Sequence, residues 1–211
     1  MATTCPGNGE SLPVRAPAPP SRDVTAPYPA HLVEAWQFDG GLPVTIRPIR
    51  GRDMAIESTF LAGLSNETRY QRLLSARKLL PGELRRLTHI DYGRDMALVA
   101  TACLDGVETL LGVARYVRLA DVKSAEFAIV VGDGWQRRGL GDRLLRSLLA
   151  AAELHGLHLL VGMTLTANLR MQVLARKLGF TLALDRGDAT VTQLRRLLGP
   201  ATGPVAASLN A

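Results

Sequence analysis

VVGDGWQRRGLG, residues 130–141, sets four glycines and two arginines at the junction of an apolar run and a segment of helical periodicity. The apolar run is AEFAIVV (125–131), which reads as a strand. Beyond the glycines, Leu140, Leu144, Leu145, Leu148, Leu149 and Ala152 recur at three- and four-residue spacing as far as His155, which reads as an amphipathic helix. Strand, glycine-rich turn and helix therefore follow in order. Two readings fit such a turn: a basic connection, or a seat for phosphate groups. A helix N-terminus presents unpaired N–H groups and a partial positive charge, and glycine lets an anion approach them closely. Two nucleotide motifs fail here. Gly134 and Gly139 have the P-loop spacing, but the following residue is Leu140 where lysine is required. Gly139 and Gly141 open a G-x-G, but Leu144 stands where the dinucleotide fingerprint needs its third glycine.

Working outward, PVTIRPI (43–49) alternates apolar and polar residues and reads as a strand, and GRDMAIESTFLAGLS (51–65) reads as a helix entered at Asp53. Further helices are expected near 66–75 and 81–89, the second starting at Pro81. MALVATACL (96–104) and TLLGVARYVR (109–118) flank Asp105-Gly106, a hairpin signal. HLLVGMT (158–164) reads as a buried strand, ANLRMQVLARKLG (167–179) as a helix stopped by Gly179, and FTLALD and ATVTQLRRL as two closing strands. The class is mixed α/β. Seven of the twelve prolines lie in residues 1–30, a composition read as a mobile leader. The expected divisions are a leader over 1–40, a folded domain over 41–199 and a tail over 200–211. HLVEAWQFDGGL (31–42) is ambiguous, able to pack on the domain through Trp36 and Phe38.

Net charge is +6, and arginine carries nearly all of the positive charge, with lysine only at Lys78, Lys123 and Lys177. Arginine's planar fork suits phosphate and carboxylate. Aromatic content of 5% supplies few stacking platforms for bases, so a small polyanion is favoured over nucleic acid. No apolar run approaches the ~20 residues that span a bilayer, and no secretory signal is expected at the N-terminus. Cys5 and Cys103 lie in unlike contexts, which argues against a disulfide and for a reducing cytoplasm. Cys103 is expected to be a small buried hydrophobe. No Cys/His cluster has metal spacing, so no metal is expected. His89 and Asp91 are read as orienting a helix–strand connection, and Trp135 as packing under the turn. Arg69, Tyr70 and Arg72 line a substrate groove or form a solvated helix face.

Gln136-x-x-Gly139-x-Gly141 after an apolar strand resembles the acyl-CoA signature of the GNAT superfamily of N-acetyltransferases, Q/R-x-x-G-x-G/A. VTIRPIRGRD resembles that family's first strand and helix start, and ANLRMQVLARKLGF its late helix, the three agreeing in order over about residues 44–198. The resemblance implies a mixed sheet of about six to seven strands, splayed between two central parallel strands, with flanking helices. It implies acetyl-CoA as acyl donor. Its pyrophosphate would meet Gln136, Arg137, Arg138, Gly139, Leu140, Gly141 and Asp142, and its pantetheine the strand backbone at Ile129, Val130 and Val131. Asn168 and Met171 would contact the cofactor or support its site.

LSNETRYQRLLSARKLLPGELRRLTHIDYGRDMALVATA (64–102), with VARYVR (113–118) and AEFAIVV, looks like the acetyltransferase domain of bacterial Pat-type protein lysine acetyltransferases. These act on a lysine of AMP-forming acyl-CoA synthetases, which implies a protein acceptor and makes Glu126 the general base. The residues support that role separately. A lysine ammonium must lose a proton before it attacks a thioester, and Glu126 is the only acid in the run 125–131. Partial burial would favour that role, and an exposed strand-end carboxylate is the other reading of it. Many superfamily members carry a tyrosine, acting as general acid, where this chain has Ala175. A small-molecule amine as acceptor, or a CoA-binding module without turnover, are the alternatives.

Overall fold

The computed structural model describes residues 26–73 and 81–199. One sheet contains β1 (Glu34–Phe38), β2 (Leu42–Pro48), β3 (Met96–Leu104), β4 (Val107–Arg118), β5 (Ser124–Val131), β6 (Leu159–Leu165), β7 (Thr181–Leu184) and β8 (Val191–Leu197). The helices are α1 (Met54–Gly63), α2 (Asn66–Leu73), α3 (Pro81–Thr88), α4 (Leu140–Leu154) and α5 (Leu169–Lys177). Strand order is β1-β2-β3-β4-β5-β6-β8-β7. All neighbours are antiparallel except β5 and β6, whose parallel pairing requires the crossover that α4 supplies.

The mixed α/β class agrees with the sequence reading, and the sheet is wider than expected. The eighth strand, β1, lies inside the stretch assigned to the leader and pairs with β2 from Glu34↔Ile46 to Phe38↔Leu42. Its hairpin is closed by Asp39-Gly40-Gly41, with Gly40 at φ 74° and Gly41 at φ 80°, a conformation that glycine adopts without a Cβ penalty. The Asp105-Gly106 turn behaves as expected, with φ of 50° and 79°.

Two apolar layers cover the sheet. Leu140, Leu144, Leu145 and Leu148 of α4 are fully buried against one face, with Leu111, Ala114 and Leu160. Phe60 and Leu64 pack on the other, against Val99, Val113 and Val130. Coverage on both sides explains why residues 96–102 are all buried and read as an unbroken apolar run rather than an alternating one. Cys103 departs from expectation: it is exposed, because β3 runs on towards its turn beyond that covered stretch. Arg47 and Asp53 form a buried bidentate pair at 2.6 and 3.0 Å that fixes the turn from β2 into α1. His89 packs over Gly51, where an added Cβ would lie 2.8 Å from its Nε2, and Asp91 accepts from Gly93 N at 3.0 Å, both structural contacts. Among the described residues no helix is long and apolar enough to cross a membrane.

Candidate functional site

β5 and β6 pair only at Ser124↔Leu159, Ala125↔Leu160 and Glu126↔Val161, and then separate. On its other side β5 stays paired with β4 as far as Val131↔Gly112. Gly132 N donates to Leu111 O at 2.9 Å, so the alternation of an antiparallel ladder turns the N–H and C=O groups of Phe127, Ile129 and Val131 away from β4. The last β5–β6 rung, Glu126↔Val161, takes up the Phe127 N–H, and the Phe127 C=O with both groups of Ile129 and Val131 face the gap that β6 has vacated. Buried backbone polar groups need partners, so such a gap suits a ligand carrying amides of its own.

A cleft of about 550 Å³ occupies this gap. Its lining includes Phe127, Ile129 and Val131 from one face of β5 and Ala128 and Val130 from the other. The cleft therefore follows β5 and is bordered by residues of both its faces.

At its mouth, the chain leaves β5 through a short turn, Asp133–Trp135, and enters α4 at Gly139. Arg137 has φ 61° and Gly139 φ 88°, left-handed conformations that gather successive N–H groups into a concave, anion-binding arrangement. No side chain caps α4, so its first-turn N–H groups at Leu140, Gly141 and Asp142 are left for a ligand. A Cβ at Gly141 would lie 3.6 Å from both Val131 Cγ2 and Leu174 Cδ2, inside the cradle. Gln136 Nε2 donates to Val131 O at 3.0 Å, and the side chain lines the cleft with Arg137, Gly139 and Gly141. These features fit a diphosphate followed by an amide-bearing arm.

Two expected contacts lie elsewhere. The Arg138 guanidinium is turned away, pairing with Asp39 at 3.0 Å and lying 4.9 Å over the Phe38 ring and 5.4 Å over Trp135. The Leu140 side chain is fully buried in the core, leaving only its backbone at the turn. Asn168 and Met171 line the cleft, and Asn168 Oδ1 also caps α5 by accepting from Met171 N at 3.1 Å. Asp142 lines it while paired with Arg146 and Lys177 at 3.1 and 3.3 Å. Burial pushes its carboxyl up, but the two cations outweigh that and hold it below the ordinary range.

Thr68, Gln71, Arg170 and Lys177 also line the cleft and were not foreseen. Arg170 and Lys177 are seven residues apart on one helix, a spacing that puts them on one face and could have flagged them. Thr68 carries no local signal. It arrives from a distant helix and donates to Asp133 Oδ1 at 2.6 Å, while Gln136 Nε2 donates to it at 3.2 Å.

Glu126 is the last residue of the β5–β6 ladder. It shares a face with Ala128 and Val130, opposite to α4 and α5. It is exposed, the second of the two readings of this strand-end carboxylate. Ala175 is fully buried and offers no hydroxyl. Among the described residues, no group of three or more His, Cys, Asp or Glu is placed to hold a metal ion.

Residues 67–180 match the model of the acetyltransferase (GNAT) family. The chain is 34% identical over 161 residues to acetyltransferase PA5475 of Pseudomonas aeruginosa, covering 76% of this chain and 86% of that protein. It is 31% identical over 135 residues to acetyltransferase Pat of Mycolicibacterium smegmatis, covering 64% of this chain but only 40% of that longer protein. The solved GNAT domain of S. lividans PAT superposes with a TM-score of 0.73 at 27% identity, over 81% of this chain and 99% of that one. With a splayed parallel pair, a bare helix N-terminus at its mouth and these relatives, the chain belongs to the GNAT family of acetyltransferases.

Proposed function

We propose that this protein transfers an acetyl group from acetyl-CoA to a lysine side chain of another protein, by direct attack, with Glu126 as general base. The observation that carries the reading is the cleft in the gap between β5 and β6, lined by the glycine turn at one end, with Glu126 on the last rung of the strand pair. When bound, acetyl-CoA supplies a thioester carbonyl as electrophile. The first-turn amides of Leu140, Gly141 and Asp142, with Arg137, hold the diphosphate. The gap-facing backbone of Ile129 and Val131 holds the amide arm, and a gap-facing N–H of β5 polarises the carbonyl. Val131 O already accepts from Gln136, so the arm's N–H donors are left Phe127 O and Ile129 O.

Glu126 stands at the base of the gap on the face away from α4, where an incoming ammonium meets a carboxylate and loses its proton to it directly or through one water. The freed amine forms the new C–N bond as the C–S bond breaks. With alanine at position 175, the departing thiolate takes its proton from water. The protein acceptor is supported by the likeness to the Pat enzyme and PAT domain, and AMP-forming acyl-CoA synthetases are the class to test first. A reducing cytoplasm suits both.

The test is Glu126→Gln, assayed with acetyl-CoA and a lysine acceptor. Loss of about 10²–10⁴ in kcat with acetyl-CoA affinity retained is expected. An unchanged kcat would remove Glu126 from the mechanism.

A further inference from the structure

Glu126 is exposed on the face of the sheet opposite to α4. Glu126 pairs with Val161, and Val161 in turn with Arg195, so the three lie in one row across β5, β6 and β8. Their parity is fixed by the neighbouring row. Arg196 bonds to Leu178 O and Glu153 on the α4–α5 side, which sends Arg195 to the opposite face. Glu126 and Arg195 are both exposed, and neither side chain has a hydrogen-bond or ion-pair partner among the described residues. Two strand spacings separate their backbones by about 10 Å, and they do not pair with each other.

Around them the surface is apolar. Val117 lies beside Glu126, Met163 is 50% exposed and Leu197 is 82% exposed, all on this face. A carboxylate and a guanidinium, each without a partner among the described residues and set two strand spacings apart on an apolar shelf, are complementary to an ammonium and a carboxylate held at similar separation. In an extended chain, residues two or three apart span about 7–10 Å.

We infer that Arg195 is a specificity-determining residue, selecting acceptor segments with an aspartate or glutamate two or three residues from the target lysine. The inference rests on the protein-lysine reading above and names its substrate class. Arg195 touches only the acceptor's flank. It belongs to substrate selection and takes no part in the proton transfer.

The experiment measures kcat/KM of the full chain with acetyl-CoA on two lysine peptides, alike except that the flanking positions carry aspartate in one and asparagine in the other. The unaltered protein is expected to favour the aspartate peptide by about three- to tenfold, through KM. Arg195→Lys keeps the preference, and Arg195→Glu turns it against aspartate. An equal ratio in the unaltered protein and Arg195→Glu overturns the inference while leaving the lysine acetyltransferase reading in place. Acetylation of a small amine but of neither peptide overturns both. A dimer that Arg195→Glu dissociates, with peptide preference unmoved, overturns the inference by giving the shelf to a second copy.

Discussion

His155 ends α4 and faces two opposing influences. A helix C-terminus favours a cation there by about 0.3–1 kcal/mol. Burial acts the other way, Arg118 and His31 add repulsion, and the net result holds the imidazole below its ordinary value of 6.5. Tyr116, itself fully buried and pushed up by burial, bonds to Nδ1 at 2.7 Å, a contact that suits the neutral ring. In the unfolded chain the ring takes its proton first as pH falls. The unfolded state therefore binds more protons between the two pKa values, and stability drops on acidification below about 6.5. Urea unfolding across about pH 5–8 is expected to show a steeper acid-side loss than in His155→Gln. Equal slopes would mean that the Tyr116–His155 contact does not discriminate between the ring's forms.

α2 shows how an element reaches a site that its own sequence does not announce. Ser65 precedes it and caps it, accepting from Thr68 N at 3.1 Å. The cap is itself held by Asp133, which accepts from Ser65 N at 2.9 Å, Ser65 Oγ at 2.8 Å and Thr68 Oγ1 at 2.6 Å. Burial pushes the Asp133 carboxyl up, but these donors outweigh it and keep it ionised to lower pH than usual. The turn that ends β5 thus anchors a helix some 65 residues away in sequence. Asp133→Ala is expected to destabilise by about 1 kcal/mol, the scale of a lost N-cap. It should also speed hydrogen exchange of the α2 amides and raise KM for acetyl-CoA a few-fold through Gln136. Unchanged exchange in α2 would show that the helix is held by other contacts.

At the scale of the molecule, the parts legible in the sequence are those whose physics is local. The alternation in PVTIRPI, the leucine spacing of α4, the Asp105-Gly106 hairpin and the bare glycines at 139 and 141 each marked a real element. β1 was missed although Asp39-Gly40 is a hairpin signal, because EAWQF is short and half polar, as an edge strand can be. The destinations of Arg138 and Thr68 depend on long-range neighbours, Asp39 for one and Asp133 for the other, which no local window contains.

The separation of β5 from β6 gives the sheet an edge in its interior. At an outer edge, unpaired strand groups exchange quickly and recruit other strands. Here the lips of one cleft enclose them, and only a narrow chain bearing its own amides can enter. A bound donor would act as a ninth, non-peptide strand, joining two half-sheets that three residue pairs alone connect. Without a ligand, the amides of Ile129 and Val131 are expected to exchange faster than those of Ala128 and Val130, one residue along the same strand. Saturating acetyl-CoA should erase that alternation. A uniform rate along β5 in both states would mean that the gap closes in solution.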